Sequence, residues 1–344
     1  MDGQGRNCRI EFSRCRNNID GSHRPPIASN EPEEVWDRMT TAFGLQLKQR
    51  IGNTPLLRLA QVTSGLKAVQ VLGKAEWTNP GGSVKDRAAS NIIEEALRDG
   101  KLGGGKILLD STSGNTGIAY AMLGAAYRIP ITLAIPSNVS AERKRILSAY
   151  GATVVYTDPG EGSDGAIRKA RAMIAEEPDK YFYADQYSND ANWRAHYRDG
   201  TADEIWRQTG GHVTHFAAML GTSGTFVGTS RRLKEFNPAI RCISLQPDSP
   251  FHGIEGTKHM ETSIVPKIYD AGIADAELGI ETEAAYLMAR RMAREEGLLV
   301  GVSAAAALVG ALQVAREAEP DSVIVTIFPD SGEKYLSEHF WNEK

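Results

Sequence analysis

From Ile51 onward, the chain alternates short runs of β-branched and apolar residues with longer amphipathic stretches. Runs of the first kind are typical of buried strands, and the stretches between them have the spacing of helices. This alternation predicts an α/β fold, in which parallel sheets are covered by helices on both faces. Such folds bind ligands just beyond the carboxyl ends of their strands, so the loops after the strands are where chemistry is expected.

The predicted strands are short and rich in β-branched residues, and the predicted helices each have an apolar face. The strands are residues 69–72, 107–109, 131–135, 153–156, 213–220, 240–245 and 323–327. The helices include residues 84–98, 141–150 and 282–296.

Length and composition limit the class of protein. A chain of 344 residues is long enough for two domains that share a cleft. Its net charge of −4 gives no overall basic bias for binding nucleic acid or an anionic membrane. The most apolar stretch, residues 298–312, is too short to span a bilayer, and three cysteines in so long a chain indicate a reducing compartment. We therefore expect a cytoplasmic enzyme with no nucleic-acid partner and no membrane partner.

Residues 1–45 differ from the rest, because they are polar, rich in charge and without periodicity. We predict a flexible N-terminal extension there, with one short helix around residues 33–39. Cys8, Cys15 and His23 lie in this extension and could be metal or haem ligands or incidental residues of a tail. No zinc-like spacing relates them, so we predict no metal site.

The first loop of interest reads Asn-Pro-Gly-Gly-Ser-Val-Lys-Asp-Arg over residues 79–87. Its turn leads into a predicted helix that Ser83 can cap, with Asp86 completing a capping box. Lys85 falls in the first turn, beside the positive end of the helix dipole, which would lower its pKa and favour the neutral amine. A surface lysine at a helix start is the alternative.

Three more loops follow predicted strands or open predicted helices. Residues 111–117, Ser-Thr-Ser-Gly-Asn-Thr-Gly, expose backbone N–H groups suited to a carboxylate. Residues 221–225, Gly-Thr-Ser-Gly-Thr, predict a phosphate cradle, and the absence of a following lysine distinguishes it from a Walker loop. A monophosphate cofactor therefore fits best. The fourth loop, residues 301–303, opens an alanine-rich helix, and by itself Ser303 reads only as a cap.

Together, and in this order, the four loops resemble the fold-type II pyridoxal-phosphate enzymes, specifically the cysteine synthase and cystathionine β-synthase family. The resemblance extends from about residue 51 to residue 336, and the spacings from Lys85 to Asn115 and to Gln186 are similar to those of the family. It implies two α/β domains with pyridoxal 5′-phosphate in the cleft between them. The smaller domain would comprise residues 79–190 and the larger one residues 46–78 plus 191–344. It also implies a homodimer.

The resemblance also implies a role for each motif. Lys85 would be the catalytic residue that forms the Schiff base, Asn115 would contact the cofactor's 3′ oxygen, and Ser303 would face the pyridine nitrogen. The phosphate would be held by Gly221, Thr222, Ser223, Gly224 and Thr225, and the substrate carboxylate by Thr112, Ser113, Gly114, Thr116 and Gln186. A hydroxyl beside the pyridine nitrogen weakens the ring as an electron sink, which favours β-replacement over transamination.

Within the family, residues 251–266 resemble the type B cysteine synthases and O-phosphoserine sulfhydrylases. Lys258 and His259 stand where those enzymes have two basic residues, and would bind an anionic part of the substrate; a solvated loop is the alternative. The implied reaction converts O-acetylserine or O-phosphoserine to L-cysteine through an α-aminoacrylate. Sulfide, thiosulfate and a carrier thiocarboxylate are all compatible sulfur donors.

Three other functions are weighed against cysteine synthase. Cystathionine β-synthase, which joins serine and homocysteine, is the nearest rival, because residues 79–87 and 185–187 resemble it as well. A serine or threonine dehydratase is disfavoured by the Thr116-Gly117 continuation of the asparagine loop. A non-catalytic regulator that binds the cofactor on the same fold is disfavoured by the presence of Lys85.

Overall fold

The computed structural model describes residues 42–66, 68–112 and 114–342. The helix predicted around residues 33–39, together with Cys8, Cys15 and His23, lies outside the described residues. The first described helix begins at Ala42, inside the stretch predicted to be a flexible extension.

Strands and helices alternate along the described chain. The strands are β1 (Leu56–Arg58), β2 (Gln70–Ala75), β3 (Ile107–Ser111), β4 (Ile131–Pro136), β5 (Thr153–Thr157), β6 (Tyr181–Tyr183), β7 (His215–Met219), β8 (Arg241–Pro247), β9 (Ala276–Ile280) and β10 (Val323–Phe328). The helices are α1 (Ala42–Lys48), α2 (Lys85–Arg98), α3 (Asn115–Tyr127), α4 (Ala141–Ala149), α5 (Gly162–Glu176), α6 (Asp190–Arg194), α7 (Thr201–Gln208), α8 (Gly224–Phe236), α9 (Thr282–Arg291) and α10 (Val302–Glu317).

Within the described residues, these strands form two sheets. The smaller sheet has the order β5-β4-β3-β6 and is parallel throughout. The larger sheet has the order β1-β2-β10-β7-β8-β9 and is parallel except at its edge, where β1 runs antiparallel to β2. The predicted α/β class is thus confirmed.

The core of the larger sheet lies around its central strand β10, every residue of which is buried. Parallel strands covered on both faces lack the alternation of half-exposed strands, which explains the continuous apolar run. Helix α10 covers this sheet with small alanine side chains. At Gly310 an added Cβ would come within 2.7 Å of the Leu245 side chain, so glycine permits the close approach of helix and sheet.

The structure departs from the sequence prediction in a few elements. Strands β1, β6 and β9 were not predicted, because two of them have only three residues and the third alternates at a sheet edge. The helix predicted over residues 282–296 is interrupted: α9 ends at Arg291, and a π-helical turn follows over Met292–Glu296. Among the described residues, the helices are too short or too polar for any of them to cross a membrane.

Candidate active site

A pocket forms where the loops after β3, β7 and β10 converge with the first turns of α2 and α10. It brings together most of the residues predicted for the site. Its lining includes Lys85, Thr112, Asn115, Thr116, Gln186, Gly221, Thr222, Ser223, Thr225, Lys258 and Ser303. Gly114 and Gly224 belong to the same loops, and Ser113 lies outside the described residues.

Lys85 is the first residue of α2, and its side chain lines the pocket. Burial lowers the pKa of its ammonium, against the opposing charges of Asp330 and Glu76. The direction is the one predicted, although burial is its leading cause. A lowered pKa leaves a larger fraction of this lysine as the free amine near neutral pH, and the free amine is the form that accepts a proton.

The predicted capping box in front of Lys85 is wrong. Val84 takes the N-cap position of α2, and the Ser83 hydroxyl accepts a 3.3 Å hydrogen bond from the Lys85 backbone N–H. The Asp86 carboxyl turns back instead and accepts a 2.5 Å hydrogen bond from the backbone N–H of Gly81. Asp86 therefore holds the glycine turn that precedes the lysine.

The loop after β3 is held by its own threonine. The Thr112 hydroxyl accepts hydrogen bonds from the backbone N–H groups of Gly114 and Gly117, at 3.0 and 3.3 Å. Gly114 has a φ of 155°, and a Cβ there would come within 2.6 Å of the Arg143 side chain, so the position requires glycine. The hydroxyl hydrogen of Thr112 is left to donate to a ligand.

Gln186, which follows β6, holds this loop in place through hydrogen bonds. Its amide donates to the Ser111 carbonyl at 2.6 Å and accepts from the Thr116 hydroxyl at 2.8 Å. Its backbone N–H contacts Asp110, a buried carboxyl whose pKa burial raises to about 8. Thr116 and Gln186 thus form one hydrogen-bonded unit beside Thr112.

The loop at residues 221–225 leads from β7 into α8, which begins at Gly224. Ser223 has a left-handed backbone with φ of 69°, which turns the loop toward the helix N-terminus. The Thr225 hydroxyl lies 3.3 Å from Nε2 of His196. Burial lowers the pKa of this histidine to about 3, so it is neutral near pH 7. Backbone N–H groups at a helix N-terminus favour an anion.

Asn115 and Ser303 each stand in the first turn of a helix, at the pocket wall. The Asn115 side-chain nitrogen donates a 2.7 Å hydrogen bond to the Asp330 carboxylate, which also accepts from the Tyr335 hydroxyl at 2.8 Å. The resemblance predicted no role for Asp330, which contacts Asn115 from far along the chain.

Residues 47–330 match the model of the family described as pyridoxal-phosphate dependent enzyme. The chain belongs to this pyridoxal-phosphate dependent enzyme family. The match covers most of the described structure and includes each of the loops that form the pocket. The family, the cofactor and the fold-type II architecture predicted from the sequence are confirmed.

Three members of this family show how similar the chain is to known proteins. Cysteine synthase from Aquifex aeolicus is 50% identical over 299 residues, which is 86% of this chain and 91% of the relative. Cysteine synthase B from Pseudomonas aeruginosa is 42% identical over 287 residues, 83% of this chain and 94% of the relative. The solved O-acetylserine dependent cystathionine β-synthase from Helicobacter pylori superposes with a TM-score of 0.81 at 34% identity, covering 86% of this chain and 98% of that one.

The pocket of this pyridoxal-phosphate dependent enzyme also fits the cofactor on chemical grounds. Among the described residues, the Ser223 hydroxyl oxygen is buried without a hydrogen-bond partner, although it stands at a helix N-terminus. A buried hydroxyl costs free energy unless a partner satisfies it, and a phosphate oxygen is a suitable partner. The partly buried Lys85 amine lies in the same pocket.

The predicted pair Lys258 and His259 is separated by the structure. Lys258 is buried, lines the pocket and forms a 2.6 Å ion pair with Asp164 of α5. His259 is not part of the pocket wall, and its ring contacts the Thr262 hydroxyl at 3.0 Å. The direction of a side chain in an irregular segment depends on tertiary contacts, so adjacency in sequence could not show this.

Sequence reasoning missed two other residues of the site. Arg143 of α4 lines the pocket, forms an ion pair with Glu255 and stacks over the Tyr335 ring at 4.8 Å. Asn192 of α6 donates to the Gln186 carbonyl at 2.7 Å and to the Thr222 hydroxyl at 3.0 Å. Asn192 thereby joins the segment at Gln186 to the loop at residues 221–225. The Asn-x-x-Asn pattern at residues 189–192 gave no local signal for this contact.

Proposed function

We propose that the chain is a cysteine synthase, which replaces the β-substituent of O-acetylserine or O-phosphoserine with sulfur to give L-cysteine. The observation on which this rests is the convergence, in one pocket, of a partly buried lysine, a hydroxyl-rich carboxylate loop and a glycine-rich phosphate loop. Two relatives named cysteine synthase and cysteine synthase B are 50% and 42% identical to the chain over 86% and 83% of its length.

The residues that would hold the cofactor surround the pocket. Residues 221–225 would bind the phosphate at the N-terminus of α8, Asn115 would donate to the 3′ oxygen, and Ser303 would face the pyridine nitrogen. Lys85 would carry the cofactor until the substrate takes its place. When bound, pyridoxal phosphate withdraws electrons from Cα of the attached amino acid, so that a β-substituent can leave.

Lys85 is then the general base of the reaction. Its amine removes the proton from Cα of the substrate, holds it while the β-substituent departs, and returns it after the sulfur nucleophile has added to Cβ. The lowered pKa matches this task, because the amine must accept the proton and give it up again at the same pH.

The loop after β3 positions the substrate. The Thr112 hydroxyl and the second N–H of the Gln186 amide stand together as donors for the α-carboxylate, next to the N-terminus of α3. Thr116 takes part by donating its hydroxyl hydrogen to the Gln186 amide oxygen, which holds that amide in place. Holding the carboxylate fixes the direction of the Cα–H bond relative to Lys85, which is the geometric requirement for proton transfer. Ser113 and Gly114 complete this loop in the proposal.

The same proposal includes a homodimer, a cytoplasmic location and the division into a smaller domain at residues 79–190 and a larger one. The two sheets support the division, because β3–β6 fall within the smaller range and β7–β10 within the larger one. Lys258 supports binding of an anionic substrate by its position in the pocket wall, but Asp164 already balances its charge.

A spectroscopic experiment tests the function. The protein is reconstituted with pyridoxal phosphate, and its visible absorbance is followed on adding O-acetylserine or O-phosphoserine and then sulfide. We expect a shift of the visible band with the β-substituted serine, its reversal by sulfide and the appearance of cysteine. A protein that stays colourless after reconstitution, or a band that neither ester changes, contradicts the proposal.

Cystathionine synthesis is a second candidate, supported by the similar Helicobacter pylori structure, which is described as O-acetylserine dependent. In the O-acetylserine dependent form, cystathionine synthesis shares its first substrate with cysteine synthesis and differs in the nucleophile. The reversal of the visible-band shift is therefore also measured with homocysteine in place of sulfide. Faster reversal by homocysteine, with cystathionine as the product, would favour this candidate.

A further inference from the structure

Lys334 is a buried lysine close to the proposed cofactor site, and the mechanism above does not use it. It lies in the 3₁₀ turn Gly332–Tyr335 that follows β10. Its ammonium donates to the Gly82 carbonyl at 2.9 Å, to the Gly81 carbonyl at 3.3 Å and to Oδ1 of Asn115 at 3.0 Å. It therefore contacts the lysine loop and the asparagine loop at the same time.

These contacts determine which way the Asn115 amide points. An ammonium group has three donors and no acceptor, so the amide must present its oxygen to Lys334. The amide nitrogen then faces the Asp330 carboxylate, which accepts its 2.7 Å hydrogen bond. In the reversed amide, the nitrogen would face the ammonium and the oxygen would face the carboxylate, and both contacts would be repulsive.

The direction of this amide matters for the proposed cofactor. A primary amide nitrogen has two N–H groups, and Asp330 takes one of them. The other remains for an acceptor in the pocket that Asn115 lines, and the 3′ oxygen of pyridoxal phosphate is such an acceptor. A reversed amide would instead turn an oxygen toward it.

We propose that Lys334 is a positioning residue: together with Asp330, it fixes the Asn115 amide so that a donor faces the cofactor's 3′ oxygen. The inference rests on the proposed function, because it requires pyridoxal phosphate in this pocket. Lys334 acts through Asn115 and need not touch the cofactor itself.

The experiment measures cofactor binding rather than turnover. Apo-protein is titrated with pyridoxal phosphate for the wild type, for Lys334→Met and for Lys101→Met, which removes an exposed lysine paired with Asp99. We expect Lys334→Met to weaken binding about tenfold, since a charge-assisted hydrogen-bond network is lost, and Lys101→Met to leave it unchanged. The ratio of the near-ultraviolet to the visible band should change too, because it depends on hydrogen bonding at the 3′ oxygen. Lys334→Arg, which keeps N–H donors, should restore both readouts in large part.

A double-mutant cycle separates positioning from a general structural role. In an Asn115→Ala background, Lys334→Met should add little further loss, because the amide it positions is gone. A full additional loss there would contradict the proposal and assign Lys334 to the glycine turn instead. If circular dichroism shows that Lys334→Met does not fold, Lys334→Gln takes its place, with a smaller loss expected that again disappears in the Asn115→Ala background.

Two results distinguish this inference from the function on which it rests. A wild-type protein that does not bind pyridoxal phosphate would overturn the proposed function. A wild type that binds it, with Lys334→Met equal to it in affinity and band ratio, would overturn only the role of Lys334.

Discussion

At the scale of single residues, Lys85 gives the most direct test of the site. Its side chain lines the pocket without being part of the buried core, so Lys85→Ala should fold like the wild type. Loss of a general base typically costs about 10²–10⁴-fold in rate, and loss of the cofactor attachment adds to this. We expect no measurable β-replacement by steady-state assay. Lys48→Ala, at an exposed lysine, is the control; undiminished turnover in Lys85→Ala would refute the assignment.

The neighbouring Asp86 predicts a pH dependence of stability. Burial raises the pKa of its carboxyl from 3.8 to about 7. The folded chain therefore binds a proton that the unfolded chain releases between about pH 4 and pH 7, so this group makes the protein less stable as pH rises through that window. Asp86→Asn removes the effect and keeps an acceptor for the Gly81 N–H.

The measurement for Asp86 is denaturant unfolding of both proteins at several pH values. The free energy of unfolding of Asp86→Asn, relative to wild type, should rise with pH by up to about 4 kcal/mol, taking about 1.4 kcal/mol per unit of pKa shift as an upper bound. A difference that stays constant from about pH 4 to about pH 8 would show that the carboxyl is not protonated in the folded chain.

At the scale of elements, α2 is held by a buried network of charges. Arg87, two residues after Lys85, donates to Glu76 at 2.8 Å and to Glu204 of α7 at 2.7 Å. Lys74 of β2 also pairs with Glu204, at 2.8 Å. The charges of the two cations and the two carboxylates balance each other in a region buried from water. The helix that presents Lys85 therefore depends on all four residues.

We predict that Glu204→Gln destabilises the protein by about 3–5 kcal/mol, because it leaves a buried cation without its partner. The matched control is Glu95→Gln, at a half-exposed pair with Arg194, where a loss of at most about 1 kcal/mol is expected. Both are measured by urea unfolding at neutral pH. Equal effects in the two variants would contradict a special role for the buried network.

Glu204 also has a predicted behaviour in acid. Burial would raise its pKa, but hydrogen bonds and the charge of Arg87 outweigh that and lower it to about 2. The stability it contributes is present above pH 4.5 and is lost as pH falls toward 2. The difference in the free energy of unfolding between wild type and Glu204→Gln should therefore become smaller as pH falls over that range.

Some of these elements and site residues could be predicted from the sequence, and others could not. The strands around the site were predictable, because buried parallel strands such as β10 are continuous β-branched runs. The loops were predictable because glycines and hydroxyls cluster locally, as in residues 111–117. Lys334 was not, since its contact with Asn115 spans 219 residues and arises only when the turn after β10 folds back. His259 lies outside the pocket wall, which its adjacency to Lys258 in the sequence could not show.

At the scale of the whole molecule, the segment at residues 251–266 connects the two sheet regions across the pocket. It follows β8 of the larger sheet, but two of its charged side chains pair with helices of the smaller one. Glu255 pairs with Arg143 of α4, and Lys258 pairs with Asp164 of α5. The second carboxylate oxygen of Asp164 accepts the Ile264 N–H at 2.8 Å. Residues 251–266, which are expected to select the substrate, thus also connect the two sheet regions.

This double role leads to a prediction about specificity. In Asp164→Asn, the Lys258 ammonium loses its carboxylate partner while remaining buried in the pocket wall, and a substrate phosphate becomes the nearest compensation for its charge. We expect the ratio of kcat/KM for O-phosphoserine to that for O-acetylserine to rise by about tenfold, equivalent to about 1.4 kcal/mol. Glu161→Gln, which breaks an exposed pair with Arg168 nearby, should leave the ratio unchanged. A ratio equally unchanged in Asp164→Asn would mean that Lys258 serves only to connect the two sheet regions, and that the choice between the two esters is made elsewhere in the pocket.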